Sequence, residues 1–202
     1  MFYEVSQGHG LPHDPFKALV VPRPIGWITA MSARGELNLS PYSFFNALSD
    51  RPYIVGFSSE GRKDAVTFVE ETGEFVCSLA TYDLRQQMNA TSAPLPRGQS
   101  EVDHAGLTAA PSRLVRPPRV AQSPAALECR WLQTVPLTPL DGGEGRYWLV
   151  IGQVIGVYID DRFVVDGLVD TAAMRPIARA GYRDYFVATP ETKFSITRPK
   201  GG

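Results

Sequence analysis

Between Arg23 and Leu79 short runs of alternating apolar and polar positions are separated by turn-forming residues, a pattern that predicts strands rather than long helices. A strand is expected over residues 18–23. It resumes after Pro24 over 25–33, where Ile25, Trp27, Thr29 and Met31 share one face because strand side chains alternate with period two. Ala33, Arg34, Gly35 and Glu36 form a tight turn into a strand over 37–40, giving a hairpin. Further strands are expected over 53–59 and 74–80. Between them Asp64 caps a short helix whose apolar face uses Ala65, Val66, Phe68 and Val69, and Gly73 ends it. A second short helix starts at Asp83, with Gln86 as its capping-box partner, and ends near Asn89.

The remainder continues the β pattern. Leu127, Cys129, Trp131, Gln133 and Val135 alternate with Glu128, Arg130, Leu132 and Thr134, which reads as a half-exposed antiparallel strand. The turn Asp141-Gly142-Gly143-Glu144-Gly145 returns the chain as a long strand over 146–160. Gly152 and Gly156 within it predict bulges where a barrel closes. Residues 1–18 read as an extended arm. Residues 91–124, rich in Pro, Ser and Arg, read as a long irregular excursion with a helical turn near 102–107. That segment is a candidate for covering a ligand or reaching a second subunit. The sum is a mainly β chain with six to seven antiparallel strands and a few short helices, forming a barrel in one domain over 1–202.

Composition narrows the function classes. The 17 prolines and 18 glycines suit a turn-rich β fold, and 44% hydrophobic residues suffice for a core. With 20 basic against 21 acidic residues there is no electrostatic footprint for nucleic acid or an anionic membrane. Apolar runs break well before the ~20 residues of a spanning helix, and the N-terminus lacks a secretory pattern. Cys77 and Cys129 fall inside apolar strand patterns and read as buried thiols, consistent with a reducing cytoplasm. His9 and His13 stand four apart, but the glycines and prolines around them argue against a helix that would present both to a metal.

The chemistry concentrates in one ordered run: Arg23-Pro24-Ile25-Gly26-Trp27-Ile28-Thr29, then Asn38-Leu39-Ser40-Pro41-Tyr42-Ser43-Phe44-Phe45-Asn46, then Ser58-Ser59 and Arg62-Lys63-Asp64. Hydroxyls, a cation and a helix start suit a phosphate, so Ser58, Ser59, Lys63 and Asp64 describe an anion site. Taken alone, the same residues also read as a solvated basic turn. A flat aromatic ligand wants a dry slot with a few hydrogen bonds, and Ser43, Phe44, Phe45 and Asn46 offer those types at a strand-to-helix bend. Phe44 and Phe45 read equally as core, and Asn46 as a helix cap. Trp27 and Thr29 are second choices for the slot wall. There is no Gly-x-Gly-x-x-Gly, no Gly-x-Ser-x-Gly, no Walker loop and no metal-spaced cluster.

The order and spacing of this run resemble the flavin reductase-like family, the FMN-binding split β-barrels (Greek-key-like) that include flavoredoxins and two-component flavin reductases. The resemblance is strongest over residues 19–110. It implies FMN as cofactor, NADH or NADPH as electron donor, a homodimer, and reduced flavin passed to oxygen, a diffusible flavin or a partner monooxygenase. It places Lys63, Ser58 and the Asp64 helix start at the phosphate, and Ser43, Phe44, Phe45 and Asn46 with Thr29 on the ring and ribityl chain. Asn89 would touch flavin or the nicotinamide side, His104 is a further pocket candidate, and Tyr185 would cover the site. The family commonly has Ser or Thr after Lys-Asp. Here Ala65 stands there, so Thr67 or the other hydroxyls would have to compensate. An FMN electron carrier without its own NAD(P)H activity, a non-catalytic flavin-binding module and a pyridoxamine-phosphate oxidase are the alternatives.

Overall fold

The computed structural model describes residues 1–199, so the last three residues of the expected domain lie outside the described part. The N-terminal arm carries a single turn of helix, α1 (Phe16–Leu19). It is followed by β1 (Arg23–Pro24), β2 (Gly26–Met31), β3 (Leu37–Tyr42), β4 (Phe45–Asp50), β5 (Tyr53–Glu60), α2 (Asp64–Thr72) and β6 (Glu74–Leu79). Then comes α3 (Arg85–Ala90), and the excursion after it holds α4 (Glu101–His104), β7 (Ala109–Ala110) and β8 (Arg119–Val120). Two long strands, β9 (Ala125–Pro136) and β10 (Tyr147–Ile159), precede the short pieces β11 (Val164–Val165), β12 (Leu168–Val169), β13 (Ile177–Arg179) and β14 (Tyr185–Val187).

The main sheet has seven antiparallel strands in the order β3-β2-β6-β9-β10-β5-β4. Its two edges, β3 and β4, are consecutive in the chain and meet in space. A Cβ on Gly26 of β2 would lie 2.6 Å from the Phe45 ring of β4, so glycine is required for that close approach. The sheet therefore curls into a barrel whose seam lies between β3 and β4. Ile28, Ala30, Phe57, Phe75, Cys77, Cys129 and Val150 fill its interior, together with Val66, Phe68 and Val69 of α2. Alternate residues of β2 and β3 point the other way. Trp27 and Leu39 form a second cluster with Met88 of α3 and with Val102 and Val120 of the excursion, so β2 is buried on both faces.

Several expectations are corrected. The strand expected over 18–23 shrinks to its last residue: Asp14 Oδ1 accepts the Phe16 N–H at 2.8 Å and starts α1, and only Arg23 joins Pro24 in the two-residue β1 that pairs with β13. Residues 40–46 are not a strand-to-helix bend but a corner between two strands. Asn46 is no helix cap, since it lies in β4 opposite Gly56. A register shift between Ala47 and Ser49 breaks the alternation that would have revealed β4. Asp64 is the first residue of α2 rather than its cap, which is Lys63. Asp83 pairs with Arg175 at 2.9 Å instead of capping α3. Glu128 is buried because its carboxylate accepts the N–H groups of Arg113 (2.9 Å) and Leu114 (2.7 Å), which fastens the excursion to β9.

Other expectations hold. The four apolar residues named for α2 are its buried ones, and Gly73 ends it in the left-handed conformation at φ 73°. The β9–β10 register shifts beside Gly152 and Gly156, and a Cβ on Gly152 would enter the Phe75 ring. Gly152→Ala is accordingly expected to lower unfolding free energy by ~1–3 kcal/mol, the cost of overpacking a core, in urea titrations. Cys77 and Cys129 are free and buried. Burial raises Cys77 from 9.0 to about 12 and raises Cys129 also, and it lifts Tyr42 from 10.0 to about 12. These groups ionise more readily in the unfolded chain. Stability should thus be intact below pH 9.0 and fall progressively toward pH 12, a loss readable from urea midpoints.

Candidate functional site

The seam is bridged by Ser43 and Phe44, which carry the chain from Tyr42 at the end of β3 to Phe45 at the start of β4. The Phe44 carbonyl accepts the Ser58 N–H at 2.8 Å, so this corner is fastened to β5 rather than to β3. The Phe44 ring lies 5.8 Å from that of Tyr147 on β10. Beside this corner lies a cleft of about 380 Å³, lined by Ser43, Phe44, Phe45, Asn46 and Ser58 together with Arg23. The Ser58 hydroxyl is buried there with no hydrogen-bond partner. A buried hydroxyl without a partner is costly unless something else supplies the bond, which fits a ligand-facing group.

The basic turn follows directly after β5. Arg62 stacks over the Trp148 ring at 4.7 Å and pairs with Glu70. Lys63 is exposed and caps α2 in an extended conformation, with no side chain bonded to the first N–H groups of the helix. Those groups give α2 a positively polarised start, although neither Lys63 nor Asp64 lines either cleft. Ala65 is buried, so the position where the family commonly has a hydroxyl faces the core. Thr67 does not replace it, because its Oγ1 donates back to the Lys63 carbonyl at 3.3 Å. Ser59 is also committed, donating to the Gly61 carbonyl at 3.0 Å and shaping the turn.

Of the remaining expected residues, Trp27 is fully enclosed and its indole N–H donates to Thr91 Oγ1 at 2.9 Å, so it is a core residue rather than a cleft wall. Thr29 is buried as well, with an unpartnered Oγ1. Asn89 lines a neighbouring cleft of about 690 Å³ with Ser43, Met88 and Tyr185. His104 is exposed on α4 and lines neither cleft. The excursion lies against β3, β6 and β9, and only Ser92 and the end of α3 reach the larger cleft. Arg23 and Arg179, which border that cleft, were not among the expected site residues. Arg23 stands in the quoted motif, but nothing in the sequence shows that its side chain is buried.

Behind the corner, Glu101 of α4 anchors β3. Its buried carboxylate accepts from Asn38 Nδ2 at 3.2 Å and from the Leu39 N–H at 3.0 Å. Tyr42, the last residue of β3, is raised by burial and by the charges of Glu101 and Asp64, against hydrogen bonds with Ser59 and Ser40. It therefore stays a neutral phenol beside the corner at ordinary pH.

A family model for the flavin reductase-like domain matches residues 18–172. The chain belongs to the flavin reductase-like family. An uncharacterised protein of Halalkalibacterium halodurans is 37% identical over 186 residues, covering 89% of this chain and 87% of that protein. Nitrilotriacetate monooxygenase component B from Bacillus cereus superposes with a TM-score of 0.86 at 26% identity, covering 97% of this chain and 98% of that one. A Shewanella frigidimarina protein assigned as a flavin reductase with a split barrel domain superposes at 0.77 with 22% identity, over 92% and 89%. This flavin reductase-like chain thus has a split-barrel fold. Among the described residues no helix is long and apolar enough to cross a membrane.

Two substitutions separate support from binding. Glu101→Ala leaves two buried donors without acceptors and should cost ~1–3 kcal/mol of unfolding free energy. Ser58→Ala removes a hydroxyl that bonds nothing in the protein and should change stability by less than about 0.5 kcal/mol. Chemical denaturation of both variants checks the contrast.

Proposed function

We propose that this chain is an FMN-dependent oxidoreductase that accepts electrons from NADH or NADPH and delivers them to a flavin, to oxygen or to a partner acceptor such as a monooxygenase. The observation that carries the reading is the convergence of Ser43, Phe44, Phe45 and Asn46 with the unsatisfied Ser58 hydroxyl at the barrel seam, one turn upstream of a basic helix start. We place the ring against the corner and the phosphate toward Ser58, Lys63 and the first turn of α2. Homodimerisation and a cytoplasmic location belong to the same reading.

The residues present fit the group. Ser58 supplies a hydroxyl with no internal partner, and Lys63 with the polarised helix start neutralises a phosphate dianion. Phe44 and Phe45 give the cleft an apolar wall that excludes water from a planar ring. The bound flavin supplies the redox chemistry, accepting hydride from a pyridine nucleotide and passing on electrons. The protein's task is to position and desolvate, which is why no nucleophile paired with a base is needed. Ala65, and Thr67 whose hydroxyl donates back to the Lys63 carbonyl, leave Lys63 and Ser58 with a larger share of phosphate binding.

Titration of the protein with FMN and riboflavin tests this directly. FMN should bind, give the visible absorption of a flavoprotein, and bleach on anaerobic mixing with NADH or NADPH. Lys63→Gln should weaken FMN at least about tenfold, the loss of one charge-assisted contact, and leave riboflavin unchanged. Wild-type protein that takes up no flavin, or a Lys63→Gln variant that weakens FMN and riboflavin equally, would contradict the assignment.

A further inference from the structure

The larger cleft carries a concentration of positive charge that the flavin reading does not use. The side chain of Arg23, 6% exposed, lines both clefts, as does Ser43. Its Nη1 donates to the carbonyls of Lys17 and Val20 at 2.5 Å each, and its Nη2 to Ala180 at 3.0 Å. These bonds clamp the guanidinium between the arm and the β13–β14 hairpin. Its Nε is buried with no partner. Among the described residues neither Arg23, Arg179 nor Lys17 takes part in an ion pair.

The neighbours make the imbalance larger. Burial and the charge of Arg179 both lower the pKa of Arg23. Lys17 Nζ and the Arg23 guanidinium each lie 5.8 Å from the Phe44 ring centroid, which puts both at the junction of the two clefts. Arg179, the cross-strand partner of Arg23 in the β1–β13 ladder, donates to the Tyr182 carbonyl at 2.6 Å and sits 4.5 Å over the Tyr185 ring. The one acid lining the cleft, Asp14, already accepts the Phe16 N–H. A purely structural clamp accounts for the Arg23 Nη bonds. It does not account for an orphaned Nε or for two further cations gathered with Asp14 as the single acid of the lining, an excess of like charge that costs stability.

We propose that this cleft is an oxyanion subsite that binds the carboxylate or phosphate of the small molecule exchanging electrons with the flavin; this rests on the flavin site proposed above. Arg23 and Arg179 hold the oxyanion, Lys17 supplies long-range attraction, and Tyr185 with Met88 faces the rest of the molecule. A cleft of about 690 Å³ lies within the range of small-ligand sites, ~300–1,000 Å³. Its boundary with the flavin cleft at Ser43 would set the bound molecule beside the ring slot.

Calorimetric titration of the FMN-loaded protein with sodium benzoate, inorganic phosphate and neutral benzamide tests the subsite. Benzoate or phosphate should bind, benzamide at least about tenfold more weakly, and oxyanion binding should weaken as salt is raised. Preference for benzoate assigns the site to carboxylates, and preference for phosphate assigns it to phosphoryl groups. Arg179→Gln should weaken the preferred oxyanion about tenfold without changing FMN affinity, and Lys17→Gln by a smaller factor in the same direction. Equal binding of benzoate and benzamide, no binding of either oxyanion, or unchanged affinity in Arg179→Gln would overturn the proposal. The same titrations on protein without FMN decide the subsite even if flavin fails to bind, a failure that would count only against the flavin site.

Discussion

The chain crosses from one edge of its sheet to the other through Ser43 and Phe44, and that crossing is pinned by the hydrogen bond from the Ser58 N–H to the Phe44 carbonyl. Strands β3 and β4 share no ladder bonds among the described residues, so this bond and the contact of Phe45 with Gly26 are what close the barrel there. Closing a barrel by packing rather than by pairing leaves a cleft with backbone and hydroxyl groups on its rim. A fully paired seam would fill that space. The cleft is therefore a consequence of how the barrel closes.

Polar groups in this fold divide by whether the protein satisfies them. The buried carboxylates of Glu101 and Glu128 each accept two donors and tie the excursion to the barrel. Trp27 and Thr91 satisfy each other in the second core. By contrast the Ser58 hydroxyl and the Arg23 Nε are buried without a partner, in residues that line clefts meeting at Ser43. The satisfied groups hold the scaffold, while Thr29 Oγ1 and Gln87 Oε1 are also unpartnered but belong to neither cleft.

Much of the architecture was legible because period-two patterns and glycines report local geometry. The β5 and β6 strands, the apolar face of α2 and the bulges beside Gly152 and Gly156 all follow from residues near one another in sequence. What was hidden depends on contacts distant in sequence. The β4 strand is masked by its own bulge and is defined only by pairing with β5. Asp83 looks like a cap until Arg175 arrives from the C-terminal region. At the site, the Ser43 to Asn46 corner and Ser58 were legible as residue types, and the structure brings them to one cleft. Trp27 and Thr29 share a strand face as expected, but nothing local tells that the excursion buries that face. The cation cluster of Arg23, Arg179 and Lys17 is assembled from both ends of the chain and has no linear signature.

The most direct measurement is a crystal structure of the protein grown with excess FMN. The account predicts flavin density at the seam, with the ring beside Ser43, Phe44 and Asn46 and the phosphate within hydrogen-bonding distance of Ser58 and the start of α2. Density for the cofactor elsewhere on the barrel, with the seam cleft empty, would contradict it.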